Sequence, residues 1–221
     1  INFLKKLGCK INWVGKRSIN VTGVRQLRAA EHSVIFDRIE AGTYIIASAL
    51  TKGRLKIKNI KPKIMSDEIK CLKKMGVTIL NKKNYVVVTS KKKIKKINIS
   101  TKPYPGFPTD LQAQMMVLMT NAEGKSIIKE NIFENRFMHV SELRRMGAEI
   151  EIKGSKALVF GKRKLNGAEL MATDLRASVS LVLAGLVASG KTIVNRIYHL
   201  DRGYEKIEKK LSKCGALIKR V

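Results

Sequence analysis

The chain has 221 residues, 44% of them apolar and 28% charged, so it can bury a sizeable core and is not a disordered polypeptide. Lys plus Arg is 45 against 17 Asp plus Glu, a net charge of +28, and the longest strongly apolar stretch, Leu181 to Ala188, is far shorter than the ~20 residues that span a bilayer. The three cysteines, Cys9, Cys71 and Cys214, lie far apart with no C-x-x-C pair, which excludes a disulfide framework and a cysteine zinc site within the chain and fits a soluble protein of a reducing compartment.

In chain order, Ile1 opens in what reads as the middle of a helix, and the chain is read as a fragment of a longer protein. The helix ends in LKKLGCKI, starting at Leu4. The same pattern returns as LKKMGVTI at Leu72, LRRMGAEI at Leu143 and LSKCGALI at Leu211, with glycines at Gly8, Gly76, Gly147 and Gly215 spaced 68, 71 and 68 residues apart. Basic residues in a last turn, a capping Gly and a following strand explain each copy. Between these marks, apolar helices end at Gly53, Gly124 and Gly190, and the short strands RLKIKNI, KSIIKENI and KTIVNRI follow. VTILNKKNYVVVTS and AEIEIKGSKALVF read as hairpins. Each unit of ~70 residues is therefore βαβαββ once a leading strand is restored, with parallel strands joined by helices. One repeat gives way to the next near residues 33–37, and the chain stops at ALIKRV, after one strand of its last unit.

The charge is concentrated in residues 52–103, which hold about +15 of it, with a dense run at Lys91, Lys92, Lys93, Lys95 and Lys96. Lysines outnumber arginines 32 to 13 and aromatics are 5%. That balance lacks the arginine forks and stacking platform of a nucleic-acid reader, so a solvated basic face is expected.

The first helix of each unit opens with an aspartate: Asp37, Asp110 and Asp174. Each is either an N-cap, accepting bonds from free backbone N–H groups, or a general base facing a cleft. Arg136 in FENRFMHV and Arg202 in YHLDRGYE stand at the expected start of the second helices, and Arg176 near the start of its own. A cation there opposes the helix dipole, so an anionic ligand or a surface salt bridge accounts for each. His32, His139 and His199 have no metal-ligand spacing, and His139 is expected to be structural. The cysteines fall beside the repeated helix ends and are expected to be packing thiols. Met115, Met116 and Met119 have helical spacing and read as core.

PYPGFPTDLQAQ, ENRFMHVSELRRMGAEI, LMATDLRASVSLVLAGL and RIYHLDRGYEKIEKKL, in that order, resemble the enolpyruvyl transferase family, most closely its branch with UDP-N-acetylglucosamine as acceptor. The resemblance is to the C-terminal half and is strongest over residues 103 to 208. It implies an α/β fold whose repeated βαβαββ units form an inside-out α/β barrel-like domain. Residues 1–35 would be the end of a second domain, and 36–221 a domain incomplete without an N-terminal segment. It implies a transferase that moves the enolpyruvyl group of phosphoenolpyruvate to the 3′-hydroxyl of UDP-N-acetylglucosamine and releases phosphate. It implies no cofactor and no metal, no nucleic-acid or membrane partner, a cytoplasmic location, and a role in peptidoglycan synthesis.

Residue by residue, Asp110 matches the aspartate that receives the sugar hydroxyl proton and binds the sugar. Ile132 matches a backbone contact to the UDP-sugar, and Arg202 an arginine that binds phosphoenolpyruvate. Arg136 and Arg176 match further active-site arginines, with Asp174 a supporting cleft residue. The family's loop cysteine or aspartate, its lysine–asparagine pair and a further arginine have no counterpart here, so the polypeptide alone is expected to be inactive. The sister branch with 3-phosphoshikimate as acceptor, a degenerate non-catalytic paralogue and a basic nucleic-acid-binding module are the competing readings.

Overall fold

The structure, a computed structural model, describes residues 1–91, 93–162 and 164–221; Lys92 of the basic run lies outside the described residues. The chain divides into two compact units, Ile1–Ile35 and Phe36–Val221. The smaller has a short helix, α1 (Asn2–Lys6), and an antiparallel hairpin of β1 (Lys10–Val14) and β2 (Ser18–Thr22). Ile11 is buried, whereas Trp13, Val14, Ile19 and Val21 are exposed.

The larger unit is built from three related segments. The first runs through α2 (Arg38–Leu50), β3 (Arg54–Lys58), α3 (Ser66–Lys74) and the hairpin β4 (Thr78–Asn81) and β5 (Tyr85–Thr89). The second contains β6 (Asn98–Ser100), α4 (Gln112–Thr120), β7 (Lys125–Lys129), α5 (His139–Arg145) and the hairpin β8 (Glu149–Lys153) and β9 (Lys156–Phe160). The third contains β10 (Glu169–Met171), α6 (Leu175–Gly185), β11 (Ile193–Asn195), α7 (Tyr198–Asp201) and α8 (Ile207–Lys213).

The second segment is a whole βαβαββ unit. Its sheet has the order β6-β7-β9-β8, with β6 parallel to β7 and the other pairs antiparallel. The first segment forms the sheet β3-β5-β4, and among the described residues no strand leads it. In the third, β10 and β11 pair in parallel. The strand expected in ALIKRV is not formed, because a strand needs a ladder partner and residues 216–221 have none among the described residues.

Strand patterning explains how the sheets pack. In β5 (YVVVT), Val86 and Val88 are fully buried, and in β9 Ala157 and Val159 are, each alternating with more exposed neighbours. Helices α2, α4 and α6 pack against one another in the interior. Every residue of α4 is buried, Met115, Met116 and Met119 completely. Each such side chain contributes roughly 1.5–3 kcal/mol by leaving water. The larger unit is thus mixed α/β, with three separate sheets among the described residues and apolar helices packed in its core.

The repeated helix ends have one cause. Gly8, Gly76, Gly147 and Gly215 have φ of +99, +92, +92 and +96, a conformation in which a side chain is strained. The second set of glycines is less uniform. Gly124 and Gly190 are left-handed, but after α2 that conformation falls on Lys52, one residue before Gly53.

Candidate active site

The three aspartates separate into two kinds. Asp37 is the N-cap of α2: its Oδ1 accepts from the amides of Ile39 at 2.7 Å and Glu40 at 3.2 Å. Asp174 caps α6 in the same way, accepting from Arg176 at 2.7 Å and Ala177 at 3.0 Å. Asp110 caps nothing. It sits in a 3-10 turn, Thr109–Leu111, entered through the extended Pro108, and α4 begins after Leu111, which offers no capping side chain.

The freed carboxylate meets two of the predicted arginines. Arg136 Nη2 donates to Asp110 Oδ1 at 3.1 Å, and Arg176 Nη2 donates to Oδ2 at 3.2 Å. Side-chain exposure is 36% for Asp110, 25% for Arg136 and 18% for Arg176. At such exposure each pair is worth about 0–1 kcal/mol, too little to be the reason for the cluster. Each guanidinium spends one N–H on Asp110 and has others for a ligand. The arrangement can hold an anion and take a proton from a neighbouring hydroxyl.

Local structure aims both arginines. Arg176 follows the capped start of α6. Arg136 follows Asn135, which is left-handed at φ +52, and its guanidinium carbon lies 5.4 Å from the centre of the Phe133 ring. Ile132, three residues after the end of β7, is exposed, and its amide donates to Glu130 Oε1 at 2.8 Å. A ligand contact from the Ile132 backbone is therefore left to its carbonyl.

Arg202 is placed differently from expectation. It does not open a helix; it is the C-cap of the short α7, five residues before α8. There the helix dipole favours a cation, so its local environment does not by itself call for an anion. Its side chain is exposed and has no hydrogen-bond or ion-pair partner among the described residues, while adjacent Asp201 is held by Arg220 at 2.6 Å. The next residue, Gly203, approaches Leu175 so closely that a Cβ would lie 3.0 Å from its side chain. This brings the Arg202 segment to the end of α6 that carries Arg176.

Beneath Asp110 lies a polar group that sequence reasoning missed. The buried Tyr204 hydroxyl is 2.9 Å from Thr43 Oγ1 and 3.4 Å from Gln114 Nε2. Gln114 Nε2 also donates to the Asp110 carbonyl at 3.0 Å. Burial pushes the Tyr204 pKa up, against the Thr43 bond and the Arg176 charge, so it acts as a neutral hydroxyl. The available signal was a pair of glutamines, Gln112 and Gln114, in an otherwise apolar helix.

His139 is buried at the first position of α5, and among the described residues its Nε2 has no hydrogen-bond partner. Burial pulls its pKa down to about 4, helped by Arg136 and opposed by Asp174. It is neutral at pH 7 and is not a site base. Cys71 is half-buried with its pKa pushed up to about 11 by burial; Cys9 is half-buried and Cys214 exposed. Among the described residues no group of three His, Cys, Asp or Glu could hold a metal ion.

The EPSP synthase (3-phosphoshikimate 1-carboxyvinyltransferase) family matches residues 1–211. The chain belongs to that family. Within it, the UDP-N-acetylglucosamine 1-carboxyvinyltransferase of Pelagibacter ubique (strain HTCC1062) is 62% identical over all 221 residues, which are 53% of that protein. The enzyme of the same name from Coxiella burnetii (strain Dugway 5J108-111) is 51% identical and is covered to 51%. The resemblance seen in the four motifs is thus met by relatives that carry that name. The chain spans about half the length of these curated relatives. The enolpyruvyl transferase NikO from Streptomyces tendae superposes with a TM-score of 0.89 at 29% identity, covering 99% of this chain and 52% of that one. EPSP synthase from Acinetobacter baumannii, at 18% identity and a TM-score of 0.76, shares the fold, covering 97% of this chain and 53% of that one.

Proposed function

We propose that this chain carries the Asp110 side of an enzyme that transfers the enolpyruvyl group of phosphoenolpyruvate to the 3′-hydroxyl of UDP-N-acetylglucosamine. The observation that carries the reading is the single uncapping aspartate, set between Arg136 and Arg176. The names of its relatives support this acceptor over 3-phosphoshikimate.

In the proposed reaction Asp110 binds the sugar and takes the proton of its 3′-hydroxyl as that oxygen bonds to C2 of the donor, whose C3 takes a proton from an acid in the remainder of the whole protein. The product is a tetrahedral phospho-ketal. Loss of a C3 proton and of phosphate then restores the double bond. Arg136 and Arg176 stabilise carboxylate and phosphate charge as it shifts, and Asp174 holds Arg176 in place by capping its helix. Arg202, with no partner of its own, takes phosphoenolpyruvate, and the Ile132 carbonyl contacts the nucleotide sugar. The enzyme would open peptidoglycan synthesis in the cytoplasm and so serve cell shape and division. Among the described residues no helix is long and apolar enough to cross a membrane.

The exposed Trp13, Val14, Ile19 and Val21 support the reading of residues 1–35 as part of a second domain. The remainder of the whole protein would supply the loop cysteine or aspartate that has no counterpart in this chain. The test is phosphate release by the whole protein with phosphoenolpyruvate and each acceptor. Release with UDP-N-acetylglucosamine and none with 3-phosphoshikimate is expected; the reverse rejects the reading. The 221-residue chain alone should release none, and a rate like the whole protein's removes the second lobe from the account.

One observation favours a second reading. A cleft of about 1270 Å³ is ringed by Lys61, Lys63, Lys70, Lys73, Lys74, Lys82 and Lys83 with no acidic side chain in its lining. A nucleic-acid module predicts tight binding that weakens steeply with salt and survives loss of Arg136 and Arg202.

A further inference from the structure

We infer that Glu130 is a positioning residue of this site: its buried carboxylate ties the turn carrying Asp110 to the Ile132–Phe133 segment and so fixes where the acceptor meets the base. The inference rests on the function proposed above and adds a residue to it.

Glu130 follows β7 directly and is 4% exposed. Its Oε2 accepts from Thr109 Oγ1 at 2.9 Å. Its Oε1 accepts from Thr101 Oγ1 at 2.7 Å and from the amides of Ile132 at 2.8 Å and Phe133 at 3.3 Å. Thr101 in turn accepts from the Asn131 amide at 2.9 Å. One carboxylate therefore joins three separate segments: the end of β6, the turn before α4 and the loop after β7.

These contacts close a ring around the site. Thr109 precedes Asp110, Asp110 pairs with Arg136, Arg136 lies over Phe133, and the Phe133 amide returns to Glu130. α4 has no capping side chain, and the Thr109 hydroxyl, by donating to Glu130, anchors the turn that precedes it. Among the described residues no cation pairs with Glu130, and burying a carboxylate without one is costly.

The repeats make the same point. Six residues beyond Gly53, Gly124 and Gly190 stand Asn59, Glu130 and Arg196. Asn59 and Arg196 take a left-handed backbone, φ +60 and +55. The carboxylate occurs only in the repeat whose aspartate is released from capping.

The test uses steady-state kinetics of the whole protein, with phosphoenolpyruvate and UDP-N-acetylglucosamine varied in turn. Glu130→Ala should lower kcat/KM for the acceptor roughly tenfold to a hundredfold, as misplacement by an ångström does, with the donor KM within about twofold. Glu130→Gln can still accept the two amides and the Thr101 hydroxyl, and donate to Thr109, so it should recover most of the loss. Thr109→Val, which leaves the other three bonds in place, should lower kcat in protein that remains folded at the assay temperature, with a lower melting temperature because the buried Oε2 loses its donor. Hydrogen exchange at the Ile132 and Phe133 amides should quicken in Glu130→Ala and not in Glu130→Gln. Wild-type acceptor kinetics in Glu130→Ala, or in Thr109→Val should Glu130→Ala fail to fold, overturn the role of Glu130 and leave the function standing. Losses shared equally by both substrates and not recovered by Gln also overturn it. No phosphate release by the wild-type protein with UDP-N-acetylglucosamine overturns the function, and the acceptor role with it.

Discussion

Arg176 Nη2 stands 3.2 Å from Asp110 Oδ2, a contact between residues 66 positions apart. The helix bearing Arg176 is capped by Asp174, the counterpart of Asp110 in the next repeat. Of two equivalent aspartates, one thus holds a helix end and the other meets the arginine which that helix presents. The expected consequence is a split in stability. Asp37→Ala and Asp174→Ala should each cost about 0.5–2 kcal/mol in urea unfolding. Asp110→Asn loses only half-exposed ion pairs and should cost about 1 kcal/mol or less. Equal costs at all three positions would contradict the separation.

His139 sets a pH dependence. Its folded pKa of about 4 lies below the ordinary 6.5. As pH falls below 6.5 the unfolded chain takes up a proton that the folded chain refuses until about pH 4, so this contribution is complete above the upper value and lost through that window. Between pH 7 and pH 5 the loss should be roughly 2 kcal/mol. Urea midpoints of wild type and His139→Gln at the two pH values check it, the variant being expected to show the shallower fall.

Tyr204→Phe tests the group under Asp110. Thr43 already donates to the Ile39 carbonyl at 2.9 Å, so the Tyr204 hydroxyl donates to Thr43. Thr43 keeps Gln114 as a partner when that hydroxyl is removed, and the cost should be about 0.5–1.5 kcal/mol. Gln114 also holds the Asp110 carbonyl, so kcat in the whole protein should fall with it. Unchanged stability would show that the three side chains are not linked as described.

Arg202→Ala separates binding from folding. With no partner to lose, the variant should unfold within about 0.5 kcal/mol of wild type. In the whole protein it should raise the KM for phosphoenolpyruvate, read from phosphate release. Unchanged donor saturation together with an unchanged rate removes Arg202 from the site.

The repeat was legible because its marks are backbone necessities: a glycine at φ above +90 tolerates no ordinary replacement, and NKKN and KGSK turns announce hairpins. The arginines were legible as residue types. Which aspartate is free was not, since FDR, PTD and ATD look alike until Pro108 is seen to lead into a 3-10 turn. The place of Arg202 was hidden by the shortness of α7, four residues between irregular segments. Thr43, Gln114 and Tyr204 meet across separations of 71, 90 and 161 residues, which no local pattern reports.

The most direct measurement is turnover of Asp110→Asn in the whole protein, alongside its thermal unfolding. A base that takes the acceptor proton is worth about 10²–10⁴ in rate, so phosphate release should fall by that factor while the unfolding transition stays close to wild type. Release within about twofold of wild type, from a folded variant, would contradict the claim that this carboxylate receives the acceptor proton.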